Sequence, residues 1–201
     1  MRAAGVHRDV TAYNNMITAC RKCFAWEEAW EVLRLMQRDH VAPNTATFEC
    51  LTMACASAGQ PAAAAEAVRA MRAAGHPPTT TTFNNLISAH GNAGDWEGAR
   101  DALDLMAAEG VHSDSYTFNA LIHAAGKCRR WEEVERQLHV MEAERIPTTA
   151  RTYNMVMRAA EACGKWEAAI GMLDRMRQER VLATTTTYNN LLMACAQAAP
   201  W

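Results

Sequence analysis

Residues 10–44, VTAYNNMITACRKCFAWEEAWEVLRLMQRDHVAPN, hold two short apolar stripes, each with the spacing of a helix. Tyr13, Met16, Ile17 and Cys20 follow the i, i+3, i+4, i+7 pattern of one helical face. Trp26, Ala29, Leu33 and Met36 mark a second face after a short break. The same wording then returns along the chain. Aromatic–polar pairs stand at Tyr13-Asn14, Phe48-Glu49, Phe83-Asn84, Phe118-Asn119, Tyr153-Asn154 and Tyr188-Asn189, each step being 35 residues. Ala19, Ala54, Ala89, Ala124, Ala159 and Ala194 form a second column, and Met1, Met36, Met71, Met106, Met141 and Met176 a third. Trp26, Pro61, Trp96, Trp131, Trp166 and Trp201 form a fourth. Four columns in one register define a repeat.

The repeats are set at 10–44, 45–79, 80–114, 115–149 and 150–184. Residues 1–9 are the tail of a preceding repeat and 185–201 the first helix of a sixth. With Met1 in the mid-helix methionine column and Trp201 at the start of a second helix, the chain is expected to be a fragment of a longer array. Gly59, Gly94 and Gly164 fall between the helices of a repeat. Gly5, Gly75 and Gly110 suit left-handed C-caps, and Thr11, Thr45, Thr80, Ser115 and Thr185 are expected as N-caps. A lone pair of ~12-residue helices is marginal in water. Neighbouring repeats must therefore share their faces, and the alanine column marks where backbones come close. The predicted fold is all-α: a right-handed α-solenoid of stacked antiparallel helix hairpins, with about five full repeats in one continuous domain.

Composition agrees with helix packed on helix. Half of the 201 residues are hydrophobic, few are aromatic, and alanine and methionine abound. No apolar run approaches the ~20 residues that span a bilayer. Seven cysteines, an odd and unclustered number, are expected as reduced thiols. Cys20-x-x-Cys23 has no second pair to complete a metal site, and the columns Cys20, Cys55, Cys195 and Cys23, Cys128, Cys163 are read as core filling. No nucleophile elbow, phosphate loop, metalloprotease motif or carboxylate pair is present, so neither catalytic residues nor a metal or cofactor is expected.

The 35-residue period and the segments TTTFNNLISAHGNAGDWEGARDALDLMAAEGVHSD and TTTYNNLLMAC resemble the pentatricopeptide repeat family, in its plain uniform-length class. The resemblance covers essentially the whole chain. It implies sequence-specific binding of single-stranded RNA, about one base per repeat, in organellar RNA processing, stability or translation. The expected setting is a chloroplast or mitochondrion, with protein partners of that processing.

In that family the fifth and last residues of a repeat together select the base. Asn14 with Asn44 then implies a pyrimidine, cytosine foremost, and Asn84 with Asp114 implies uracil. Asn119 with Thr149 and Asn154 with Thr184 imply a pyrimidine bias. Glu49 with Thr79 departs from the pattern and is expected to be silent. Asp9 completes the pair of the preceding repeat and Asn189 begins that of the sixth. The second residues, which sandwich the base, are Thr11, Ala46, Thr81, Tyr116, Arg151 and Thr186, of which Tyr116 and Arg151 can stack. Lys22 and Lys127 match a phosphate-facing position, where the other repeats have Ser57, Asn92, Ala162 and Gln197.

Two readings stay open for the last-residue column, because Asp9, Asn44, Thr79, Asp114, Thr149 and Thr184 are all also good N-caps. The asparagine column is harder to explain by structure alone, since asparagine disfavours helix interiors, and readout is the favoured reading there. Charge is unevenly spread behind a net −2. In the first-helix halves Arg21, Lys22, Lys127, Arg129, Arg151 and Arg158 outnumber Glu49 and Glu161, while Glu27, Glu28, Asp101, Asp104, Glu132 and Glu133 belong to second helices. That basic bias suits an RNA-facing side. A helical-repeat scaffold for protein partners is the alternative function.

Overall fold

The computed structural model describes residues 9–198, and within them every regular element is a helix. Met1, Arg2, Gly5, Arg8 and Trp201 lie outside the described residues, as does the side chain of Gln197. In chain order the helices are α1 (Val10–Lys22), α2 (Trp26–Arg38), α3 (Thr45–Ser57), α4 (Pro61–Ala73), α5 (Thr80–Ala93) and α6 (Trp96–Ala108). They continue with α7 (Ser115–Lys127), α8 (Trp131–Ala143), α9 (Ala150–Cys163), α10 (Trp166–Gln178) and α11 (Thr185–Ala198). The tryptophan–proline column opens each second helix, where proline's missing N–H costs nothing.

The chain divides into two compact units, 1–93 and 94–201. In the first, α1 packs on α3 and α3 on α5, while α2 and α4 each lean on their own partner and on the next first helix. In the second, α7 packs on α9 and α9 on α11, with α8 and α10 placed in the same way. The repeated columns supply these contacts. Met36, Met71, Met106, Met141 and Met176 are fully buried, as are Tyr13, Phe83 and Tyr153. Each such side chain contributes roughly 1.5–3 kcal/mol. Tyr13, Ile17, Leu33, Met36, Phe48, Leu51 and Met71 share one core cluster, and Tyr153, Met157, Leu173, Met176 and Ala194 another. At α11, Tyr188 is 47% exposed and Leu192 and Met193 also face solvent.

The alanine column does mark close approach. Ala54, Ala89, Ala124, Ala159 and Ala194 are buried, whereas Ala19 on α1 is exposed, and a Cβ placed on Gly126 of α7 would fall 2.6 Å from the Cβ of Ala159 on α9. The turns are equally uniform. Phe24, Gly59, Gly94, Arg129 and Gly164 all have positive φ, and so do His40, Gly75, Gly110, Arg145 and Arg180. After α3, Gly59 N–H donates to Ala56 O at 3.0 Å and Gln60 N–H to Cys55 O at 3.0 Å. That double bond is the Schellman closure, and α2 ends likewise with His40 N–H to Gln37 O and Val41 N–H to Met36 O.

Two expectations need correction. Thr45, Thr80, Ser115 and Thr185 are the first residues of their helices, and Thr11 the second of α1, so none of them is the cap. The residue before the helix holds that place, because its extended backbone lets its side chain reach back to the first turn. Nor are the cysteine columns uniformly core: Cys55 is buried, Cys23 is exposed at the C-terminus of α1, and the other five are half-buried. Burial pushes the Cys55 thiol up to about 11.

Candidate nucleic-acid interface

The last residue of each repeat sits where a helix begins. Asp9 accepts from Ala12 N–H at 2.8 Å, Asn44 from Thr47 N–H at 3.0 Å and Asp114 from Thr117 N–H at 2.9 Å. Thr79 and Thr184 accept from Thr82 N–H at 3.3 Å and Thr187 N–H at 3.4 Å. A reciprocal bond locks most of these caps, the third residue's hydroxyl accepting from the cap's own N–H. It is 3.2 Å for Asn44 with Thr47, 3.0 Å for Asp114 with Thr117 and 3.3 Å for Thr149 with Thr152. Thr47, Thr82, Thr117, Thr152 and Thr187 are all fully buried. This threonine column was missed in the sequence, although it also recurs every 35 residues. Its signal is a capping box with threonine in the place usually held by Glu or Gln.

Fifth residues lie on the first helices, at depths that differ from repeat to repeat. Asn14 and Asn154 are half-buried and Asn119 is only 4% exposed. The side-chain oxygens of all three are buried without a hydrogen-bond partner. Asn119 is therefore set deeper than an open reading surface would place it. Asn189, on α11, is exposed. In repeat 2 the fifth and last residues touch: Thr79 Oγ1 donates to Glu49 Oε1 at 2.7 Å. The two columns thus meet in space, although 30 residues separate them.

The asparagine that follows the fifth residue has a different task. Asn85 Nδ2 donates to Glu49 O at 3.2 Å and Thr52 Oγ1 at 3.0 Å, and Asn190 Nδ2 to Asn154 O at 3.2 Å. These bonds tie one first helix to the one before it. In the pairs Asn84-Asn85 and Asn189-Asn190 the second member is structural, whereas Asn15, on the first helix of the described residues, is exposed.

Second residues are uniformly open. Thr11, Ala46, Thr81, Tyr116, Arg151 and Thr186 are all exposed, Tyr116 at 60%. Adjacent members from repeats 4 and 5 already interact: the Arg151 guanidinium lies 5.6 Å from the centre of the Tyr116 ring. That is cation–π range, and both groups stack on nucleobases.

Residues at i, i+4 and i+8 share a helix face, so the fifth residue leads to two further positions. On α7 these are His123 and Lys127, and on α9 Arg158 and Ala162. Between the two helices His123, Lys127 and Arg158 line a recess of about 80 Å³ over a floor of Gly126, Ala159 and Ala162. Burial, then Arg158 and Lys127, hold the His123 imidazole below its ordinary range. The recess is thus a positively charged notch one to two turns from Asn119. Lys22 stands exposed at the end of α1. In repeats 2 and 3 the corresponding residues are turned inward. Ser57 Oγ donates to Met53 O at 2.9 Å and Asn92 Nδ2 to Ala56 O at 2.8 Å.

Comparison with known proteins fits this arrangement. A family model described as the pentacotripeptide-repeat region of PRORP matches residues 1–154, and one described as a pentatricopeptide repeat domain matches residues 152–198. The chain belongs to the pentatricopeptide repeat family. Among solved structures it is similar to the pentatricopeptide repeat protein PPR10 from maize, with 26% identity and a TM-score of 0.71 over 96% of this chain. The same maize protein in complex with an 18-nt psaJ RNA element matches at 26% identity and TM-score 0.70 over 95% of this chain. This chain spans 27% and 31% of those two structures. The pentatricopeptide repeat domain of Arabidopsis thaliana protein-only RNase P 1, in complex with tRNA, shares the fold at 14% identity and TM-score 0.65, covering 90% of this chain and 96% of that one. No curated protein matches. The stacked hairpins are accordingly those of pentatricopeptide repeat solenoids.

Within this pentatricopeptide repeat chain two groups of candidates lie on the first helices, the fifth residues and the exposed second residues, and the cap residues stand just before them. No group of three or more His, Cys, Asp or Glu able to hold a metal ion occurs among the described residues. No helix among them is long and apolar enough to cross a membrane.

Proposed function

We propose that this chain binds single-stranded RNA along the first-helix face, about one base per repeat, leaning toward pyrimidines where asparagine is the fifth residue. The observation that carries this reading is the trio of buried, unmatched side-chain oxygens on Asn14, Asn119 and Asn154. A buried acceptor left unmet costs about 1–3 kcal/mol, and that cost recurs at the fifth residue of repeats 1, 4 and 5. A ligand edge can meet it. Rotation about an amide's terminal bond is soft, so the half-buried Asn14 and Asn154 can present donor or acceptor to a Watson–Crick edge, and Asn119 meets one only with a small opening between its helices.

Three further features support the same ligand. Tyr116 and Arg151 offer stacking surfaces, the notch at His123, Lys127 and Arg158 suits a phosphate, and the maize relative is known in complex with RNA. On this reading Asp9, Asn44, Asp114, Thr149 and Thr184 serve as caps and readers at once. For Asn44 the cap engages Oδ1, and the amide nitrogen is no part of it. The bound strand would be masked from nucleases or held for a processing factor, in a chloroplast or mitochondrion. No chemical step is assigned to the chain.

The test is fluorescence anisotropy with short labelled RNAs at several salt concentrations. Binding should weaken steeply with salt, since phosphate contacts release counterions. Thr149→Asp keeps a good cap and gives Asn119 an aspartate partner. It should raise the preference for uracil over cytosine at a single RNA position by roughly tenfold, the scale of one good base contact. Affinity that is equal for all sequences and flat with salt would overturn the proposal and leave a peptide scaffold in its place.

A further inference from the structure

Repeat 2 inverts the chemistry of the other repeats. Where asparagine carries both a donor and an acceptor, Glu49 carries a carboxylate, which only accepts. The half-buried side chain reaches Thr79, whose hydroxyl proton is spent on Glu49 Oε1 at 2.7 Å. Thr79 Oγ1 in turn accepts from Thr82 N–H at 3.3 Å. The half-buried pair therefore offers acceptors alone, and Thr79 holds the carboxylate in one orientation.

Only one RNA base matches such a surface with two donors. Uracil sets carbonyls on both sides of a single N–H, and both would be repelled. Cytosine and adenine each offer one amino group beside a bare ring nitrogen. Guanine alone places N1–H and an amino N–H side by side, at a spacing that fits two carboxylate oxygens. We infer that repeat 2 selects guanine, so that the preferred strand is a pyrimidine run interrupted by a single G. This rests on the fifth-and-last-residue reading proposed above. It replaces a silent repeat with the most discriminating one, because a charge-assisted two-point contact is stronger than a neutral amide contact.

A guanine is moved one position at a time through a short oligopyrimidine RNA, and affinity for the wild-type chain is measured at fixed salt. One position should gain roughly tenfold, the discrimination expected of a bidentate contact. Inosine at that position lacks the amino group and should lose most of the gain without any change to the protein. Glu49→Gln should lose it too, with helix content unchanged by circular dichroism. The double variant Glu49→Asn with Thr79→Asp should shift the preference at that position to uracil. If pyrimidine RNA binds and Thr149→Asp acts as described, but the guanine scan is flat or Glu49→Gln keeps the preference, the guanine assignment is wrong while the RNA reading stands. If no RNA binds in a salt-dependent way, both fall.

Discussion

The α3–α5 pair and the α7–α9 pair are built on the same columns and spend them differently. Between α3 and α5 the polar stripe is consumed internally. Asn85 and Asn92 of α5 bond carbonyls of α3, Ser57 bonds its own helix, and Glu49 accepts from Thr79. Between α7 and α9 the stripe carries an unmatched Asn119 oxygen, a Tyr116–Arg151 stack and a cationic notch. One scaffold thus makes both a stitched seam and an open one, and a handful of side chains decides which. Affinity for an anionic strand should accordingly concentrate at repeats 4 and 5, whereas repeat 2 contributes selectivity.

Three experiments can break or sharpen that contrast. The largest effect is expected at Gly126. α3 has Ala56 at the equivalent position, but a Cβ on Gly126 would lie 2.6 Å from the Ala159 Cβ and 3.0 Å from its Cα. Gly126→Ala should therefore lower stability by about 1–3 kcal/mol by overpacking, although alanine is intrinsically the better helix former by about 1 kcal/mol. A urea melt that shows stabilisation would mean the two helices can part without loss.

Next come the charges. Replacing both Lys127 and Arg158 by alanine should weaken RNA binding for all sequences alike and reduce the slope of log affinity against log salt by about 1.4, at ~0.7 per phosphate contact on a single strand. Ser57→Lys should move α3 in the opposite direction by roughly half of that. An unchanged slope in the double variant would remove the notch from the binding surface.

The smallest effect is at the turns. Gly59 closes α3 with φ +64, whereas Arg129 closes α7 at φ 54 with a side chain that disfavours this region. Arg129→Gly should stabilise the second unit by about 1 kcal/mol, seen as a higher melting temperature. Any decrease would show that the arginine makes a compensating contact.

Much of this architecture was legible as text. The aromatic, alanine and methionine columns fixed the helix pairs and their shared faces, because burial acts on whichever side chain recurs at one depth. The caps were misplaced by one residue at Thr45, Thr80, Ser115 and Thr185 and by two at Thr11. A run such as Thr79-Thr80-Thr81-Thr82 offers several oxygens, and only backbone geometry decides which one reaches back. The threonine column escaped notice for the related reason that a buried hydroxyl looks polar in a list of letters. Cys23 belonged to an apparently apolar column but sits at a helix end, where burial fails. For the site, the repeat register marked Asn84 as the fifth residue, but the structural task of its neighbour Asn85 was not legible, since adjacent residues point about 100° apart on a helix and only packing shows what the second one bonds.

The capping geometry has a practical consequence for anyone rearranging such arrays. Asn44 closes the numbering of one repeat yet is anchored to the first turn of the following helix, and Asp114 behaves in the same way. A cassette cut at the numbered boundary and moved elsewhere carries along a side chain whose orientation is dictated by its new downstream neighbour. Transplants should therefore extend through the buried threonine three residues beyond the boundary, so that the letter and the hinge that aims it travel together.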